Sequence, residues 1–313
     1  MSKIFAVWYT LAIAGLMCAN SAHAIATPTS PRTFVASTGV DTNACSRAAP
    51  CRTFAAAVPL TSYAGEIVVL DSAGYGPITI TQSITITSPP GVYAGITVTA
   101  GNGININAPY AGTIVTLRGL TINGQGGVNG ISVTSVSELF IDHCVISNFD
   151  ATGEAGITVD AFSNVKISNT QISQAYYGVF LGSGAEADIA HTQIFETTYG
   201  VYVSADTTPT VAVLSNDVIT YASSAVFAKA YVAGTVARTY VAHSTLSSVG
   251  YGVHTQATAG TVYAAVNDCL VTETVTALFN EGGAGSATLE TFGNNVLRGN
   301  SATSGTVTKV SPG

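Results

Sequence analysis

Residues 165–180 read VKISNTQISQAYYGVF, and residues 187–202 read ADIAHTQIFETTYGVY. Laid one over the other, both begin on alternating apolar residues, Val165/Ile167 and Ala187/Ile189. Both then meet a polar residue followed three positions later by an aliphatic, Asn169/Ile172 and His191/Ile194. Both close on a small residue followed directly by an aliphatic, Gly178-Val179 and Gly200-Val201. The polar–aliphatic phrase recurs outward in both directions, at His143/Ile146, Asn216/Ile219, His243/Leu246, Asp268/Val271 and Asn294/Leu297. The small–aliphatic phrase keeps step at Gly130-Ile131, Gly156-Ile157, Ala225-Val226, Gly252-Val253 and Ala277-Leu278. From Ile122 to Leu297 there are seven steps, a mean period of 25 residues. A period of that size means a stacked array, in which each unit buries its apolar face only against its neighbours.

Strand alternation assigns the faces within one unit. Leu139 and Ile141 point inward while Phe140 and Asp142 point outward, and the inward pair recurs at Ala212/Leu214, Thr239/Val241 and Ala264/Val266. The polar residue falls at a tight bend. Stacked coil on coil, Asn169, His191, Asn216, His243, Asp268 and Asn294 are expected to form a ladder of side-chain hydrogen bonds.

The composition agrees with many short strands. The chain has 313 residues, 47% hydrophobic and 9% charged, with 32 glycines. So little charge argues against a disordered chain, and the Val/Ile/Thr runs bounded by Gly, Asn, Ser and Asp read as strands and turns. Residues 1–24 read as a secretory signal peptide: Lys3, an apolar core from Ile4 to Met17, and Ala22-His23-Ala24 for cleavage. The apolar run is shorter than the ~20 residues a span needs, and no later segment is long and apolar enough, so no membrane span is expected in the mature chain, which is expected to be secreted or periplasmic. Cleavage removes Lys3 and leaves 9 basic against 17 acidic residues, a balance of −8. That balance disfavours nucleic acid and anionic lipid as partners.

Four cysteines remain after export. Cys45 and Cys51, six apart in a turn-rich segment, are predicted to be bonded. Cys144 and Cys269 share a phase of the repeat but stand five coils apart. At ~4.8 Å per coil that is ~24 Å, beyond the ~7 Å limit for a bridge, so they are expected to be buried free thiols.

Along the chain, residues 25–60 form a lead and a helical cap, with the helix expected over 49–60. Residues 61–300 form the repeat array and 301–313 a tail. The repeat phrase with its bend residue and following Gly-Ile or Gly-Val resembles the right-handed parallel β-helix of the pectin-lyase-like superfamily. Cys45 to Cys51 followed by Arg52-Thr53-Phe54-Ala55-Ala56-Ala57 is similar to the helical cap of exported bacterial β-helix proteins. The resemblance spans roughly residues 34–300 and implies an all-β fold, a single-stranded right-handed parallel β-helix (a solenoid) with a short N-terminal capping helix. It says much less about activity, because this fold carries lyases, hydrolases, adhesins and surface proteins.

Family enzymes acting on acidic polysaccharides need clustered carboxylates that hold calcium with an Arg or Lys base, or paired aspartates for hydrolysis. The outward columns bring Asp142, Lys166 and Asp188 together, and these are the catalytic candidates. The competing reading is a surface ion-pair ladder of little energetic weight. No neighbouring Asp-Asp pair occurs there. His143, His191 and His243 lie two coils apart from one another, too far to share a metal. No metal, nucleotide or other cofactor motif is present, so no cofactor is expected.

The most telling surface feature is aromatic. After the inward aliphatic of the second phrase come Ser132, Thr158, Phe180, Tyr202, Phe227, His254 and Phe279, so five consecutive coils place a flat ring in one outward column. Tyr177, Tyr199 and Tyr251 widen that strip. Such rings could stack on the sugars of a long glycan, or simply stabilise adjacent strands at ~0.2–1 kcal/mol per pair. The reading that follows is an exported, non-catalytic protein binding a polysaccharide or cell-surface glycan through Phe180, Tyr202, Phe227, His254 and Phe279. The alternatives are a polysaccharide lyase or glycosidase, and a structural or self-associating surface protein.

Overall fold

The structure, a computed structural model, describes residues 30–310; the signal-peptide reading of residues 1–24 lies outside the described residues. The 25-residue phrase is one turn of a parallel β-helix with three faces. In one representative coil, Ser163–Ser168 makes the first face. The chain then bends at Asn169, and the strand Gln171–Leu181 bends again at Gln174, so its two halves supply the second and third faces. A short loop over 182–184 returns to the first-face strand of the next coil, Ala185–Ala190. Every strand pair between coils is parallel, with the repeat's letters in register: Val165 on Ala187, Ile167 on Ile189, Ile172 on Ile194 and Val179 on Val201. Among the described residues, twelve strands stack in the first face, and the other two faces merge into a seventeen-stranded sheet.

The residue types at the bends follow from backbone sterics. His143, Asn169, His191, Asn216, His243 and Asp268 all adopt φ of 49 to 59°, a left-handed region that Asn, Asp and His tolerate better than other side chains. The second bend uses the same conformation at Asn148, Gln174, Glu196 and Tyr221.

The hydrogen-bond ladder expected at the first bend is displaced by one residue. The bend side chains are exposed, and their backbone N–H groups reach the next coil instead, for example Asn169 to the Ala190 carbonyl at 3.2 Å. Only parts of the expected series bond through side chains: Asn169 donates to Asp142, His243 lies 3.5 Å from Asp268, and Asn294 accepts from the Asp268 amide. Side-chain bonds from coil to coil recur instead at the residue that follows, in four of the six steps from Cys144 to Asn295 among the described residues. The Cys144 amide donates to the Thr170 hydroxyl, the Thr192 amide to Asp217, the Asp217 amide to Ser244 and the Cys269 amide to Asn295. A bend side chain in the left-handed conformation points to water, whereas its successor turns inward and must satisfy a buried amide.

The interior is a stack of aliphatics. Ile167, Ile172, Val179, Leu181, Ile189, Ile194 and Val201 are fully buried, each worth ~1.5–3 kcal/mol. The small residue before Val179 has a steric cause. A Cβ on Gly178 would lie 2.5 Å from the Gly200 carbonyl oxygen and 2.7 Å from Ile194 Cγ2.

At the N-terminus the helix is shorter than the expected 49–60. It spans Phe54–Ala57, with Thr53 accepting from the Ala56 amide as its cap, and passes into a 3-10 turn, Val58–Leu60. Residues 49–52 are held otherwise: Cys51 is bonded to Cys45, and its amide donates to the Phe34 carbonyl. Phe54 is buried against Tyr75, ring centroids 5.2 Å apart, and plugs the end of the interior. Pairing also runs past both expected limits of the array. Ser30–Val35 pairs with Thr61–Val69, and Ala302–Ser304 and Val307–Lys309 continue the stack beyond residue 300. Cys144 and Cys269 are buried free thiols.

Candidate functional site

Two outward surfaces carry chemistry. On the third face the ring column stands in the expected order: Ser132, Thr158, Phe180, Tyr202, Phe227, His254 and Phe279 pair in succession. Phe180 stacks on Tyr202 at 5.6 Å, and His254 lies between Phe227 at 4.1 Å and Phe279 at 4.7 Å. Exposure departs from the expectation of an open strip. Phe180 and Phe279 are half-buried, but Tyr202, Phe227 and His254 are only 6%, 6% and 7% exposed.

Their cover is a second aromatic layer. Tyr177 and Tyr199 stack on each other at 5.5 Å and meet Tyr202 edge-on at 5.2 Å each. Tyr251 stacks on Phe279 at 4.9 Å. Tyr231, from the loop that leaves the third face, closes over the strip and hydrogen-bonds Tyr202, hydroxyl to hydroxyl, at 2.7 Å. Burial first, then the neighbouring phenols, pushes the Tyr177 hydroxyl up to about 12 and the Tyr202 hydroxyl higher still. These phenols are neutral hydrogen-bonding groups at physiological pH. His254 Nε2 sits 2.8 Å from Glu281 Oε2, while Nδ1 is buried with no partner among the described residues. Burial lowers the pKa of the imidazole despite Glu281, so the ring is neutral with its proton on Nε2, donating to the carboxylate.

The strip opens at one end. Where the column changes from Phe180 to Thr158, the small residue makes a step. Tyr177 and Phe180 wall a pocket of about 240 Å³ whose other lining includes Thr158, Ala155 and Asn129. The column of Tyr177 and Tyr199 continues on that side through Ala155 and Asn129 to Asn102. The site thus passes from an aromatic wall to an amide ladder, in which Asn129 donates to Asn102 at 2.9 Å.

The first face holds a larger cleft, about 390 Å³, lined by Glu138, Phe140, Lys166, Glu186, Asp188 and Val213 among others. Lys166 and Asp188 are therefore brought together as expected, paired side by side in adjacent strands. Asp142 is not part of the cleft. Its carboxylate is taken up by Arg118 at 3.0 Å, His143 at 2.8 Å, and Ser168 and Asn169 at 3.0 Å each. Burial raises its pKa, and the bonds from Asn169, His143 and Ser168 outweigh that, holding the group at about 2. A carboxylate so committed braces the bend. The ion-pair ladder is absent too: Lys166 makes no ion pair among the described residues, and its ammonium lies over the Phe140 ring, 5.6 Å from the centroid. Glu138 and Glu186 were missed by the sequence reading. The outward alternation extended one step before Phe140 and Asp188 would have found them. Among the described residues no group of three His, Cys, Asp or Glu is placed to hold a metal ion, and no helix is long and apolar enough to cross a membrane.

Comparison with known proteins places this geometry. The structure is similar to that of pectate lyase Pel9A, with TM-score 0.54 and 13% identity over 85% of this chain and 78% of the other. It is also similar to the GH136 lacto-N-biosidase from Eubacterium ramulus, with TM-score 0.53 and 8% identity over 89% and 68% of the two chains. At such identities the likeness is one of fold. No match is found among curated proteins. The right-handed β-helix region profile matches residues 66–230 and 102–305, most of the chain. With coil register, bend geometry and neighbours in agreement, the chain belongs to the right-handed β-helix family, within the fold of the pectin-lyase-like superfamily.

Proposed function

We propose that this chain is an exported β-helix protein that binds a long glycan along the aromatic edge of its third face, without cleaving it. The observation that carries this reading is the step at Thr158, where Tyr177 and Phe180 present half-buried rings beside polar groups in a pocket of about 240 Å³. An apolar ring wall with a few convergent polar groups suits a sugar's C–H face and its hydroxyls. Tyr202, Phe227, His254 and Phe279 then serve as the packed backing that holds Tyr177 and Phe180 rigid, so little ordering entropy is lost on binding. The leader read in residues 1–24 and the Cys45–Cys51 disulfide support export. The net charge of −7 favours uncharged glycans over polyanionic ones.

The test is affinity electrophoresis through gels cast with uncharged soluble polysaccharides, with product analysis on the same mixtures. Retardation without new reducing ends is expected in at least one gel, weakened about tenfold by Tyr177→Ala with Phe180→Ala. Tyr110→Ala, which removes a ring 71% exposed elsewhere, leaves it unchanged. Equal retardation of the double variant and the parent would remove this face from the account.

A further inference from the structure

The first-face cleft has a different chemistry and does not depend on the aromatic edge. Its polar side chains are uncommitted: among the described residues Glu138, Glu186, Asp188 and Lys166 make no side-chain hydrogen bond or ion pair. Carboxylates elsewhere are mostly taken, such as Glu66 by Arg32, Asp142 by Arg118 and Glu281 by His254. Glu186 and Asp188 stand two residues apart on one strand and so point the same way, ~6.6 Å apart at the backbone. Glu138 lies two coils away in the same column as Glu186, through Asn164. Phe140 is the aromatic surface among them.

One group already shows what this cleft attracts. The Lys166 ammonium rests over the Phe140 ring rather than on a carboxylate. A cation over an aromatic face, edged by unpaired carboxylates, is the arrangement that recognises a primary amine. Three carboxylates against one ammonium leave the cleft at −2, so a polyuronate is repelled and a cationic ligand is drawn in. The cleft's volume, about 390 Å³, lies at the small end of ligand sites.

We propose that the first-face cleft binds a glycan bearing free amino groups, an oligomer of N-deacetylated amino sugar, with its ammonium groups among Glu138, Glu186, Asp188 and the Phe140 ring. Lys166 is then a tethered competitor. It holds the ligand's place and weakens binding until an amine displaces it.

The test uses two matched probes, a glucosamine hexamer and its N-acetylated counterpart, titrated calorimetrically below neutral pH where the free amines are protonated. The glucosamine hexamer should bind at least tenfold more tightly than the acetylated one, and more weakly as salt is added. Glu186→Gln with Asp188→Asn should lower that affinity about tenfold. Lys166→Met should raise it several-fold by removing the competitor. These side chains are exposed and unbonded, so the variants should melt with the parent. Equal binding of the two hexamers, no binding of either, or no strengthening by Lys166→Met overturns the proposal. Loss of glucosamine-hexamer binding in Tyr177→Ala with Phe180→Ala but not in the carboxylate variant also overturns it, by moving the ligand to the third face. Failure of the uncharged-polysaccharide test leaves this outcome independent.

Discussion

Asp217 is a carboxylate in a place built for a hydroxyl. It occupies the ladder position that is Thr170, Thr192 and Ser244 in other coils, is 1% exposed, and accepts the amides of Thr192 at 2.8 Å and Ser215 at 3.0 Å. Burial pushes its pKa up to about 7 in spite of those two bonds. In the unfolded chain an aspartate titrates near ~3.9. Between about pH 4 and 7 the unfolded chain has released this proton while the folded one keeps it, so stability falls as pH rises through that window. Below it both states are protonated, and above it both are ionised. The full loss is about 4 kcal/mol, from about 3 pH units at 1.36 kcal/mol each.

Asp217→Thr removes the charge and keeps most of the bonding. A threonine hydroxyl there would accept the Thr192 amide and donate to the Ser215 carbonyl, as Thr170 accepts from Cys144 and donates to Ser168 at 2.8 Å. The Ser215 amide loses its acceptor, at about 1–2 kcal/mol. The variant should therefore be about 2 kcal/mol more stable than the parent above pH 7, and about 1–2 kcal/mol less stable below pH 4. Urea midpoints followed by circular dichroism at pH 4 and pH 8 measure both ends, and the order of stability should reverse between them. Curves for parent and variant that move in parallel with pH, or a threonine variant that is weaker at pH 8, would refute the assignment.

Other expectations follow from the same interior. Ile189→Asp places an unpaired charge in a fully buried column between Ile167 and Leu214, a loss of roughly 4–5 kcal/mol or more. Because coils depend on their neighbours, the far-UV β signal and soluble yield should both collapse rather than show local fraying. Cys144 is sealed inside, where burial pushes its thiol up to about 11, and burial raises Cys269 likewise. In the chain from residue 25 onward, which lacks Cys18, neither should react with a thiol reagent at pH 8 under native conditions, and two equivalents should react in denaturant without reductant. One fast equivalent under native conditions would show a coil open at that position.

The fold was legible because a solenoid imposes one pattern on every turn. Ile167, Ile189 and Leu214 lie in one column for the same reason that they occupy the same letter of the phrase. The bend residue was visible because Asn, His and Asp are unusual among Val and Thr. The working ladder one place later was not, since Thr170, Thr192 and Ser244 look like ordinary strand residues. Alternation told which side of a strand Tyr202 and Phe227 occupy but not what lies above them. That cover comes from Tyr231 on a loop outside the repeat and from rings on adjacent coils. Glu138 and Glu186 were hidden differently, because the strands of the first face begin earlier than the phrase suggests.

The central claim is that equivalent letters of successive phrases stand one above another. Cysteines introduced at Ile114, Val211, Arg238 and Thr288, all outward in one first-face column, can carry spin labels for pulsed distance measurement. From Ile114 the separations should be ~19 Å to Val211, ~24 Å to Arg238 and ~34 Å to Thr288, growing by ~4.8 Å per coil. Distances that fail to rise in these equal steps would contradict the stack and the two surfaces built on it.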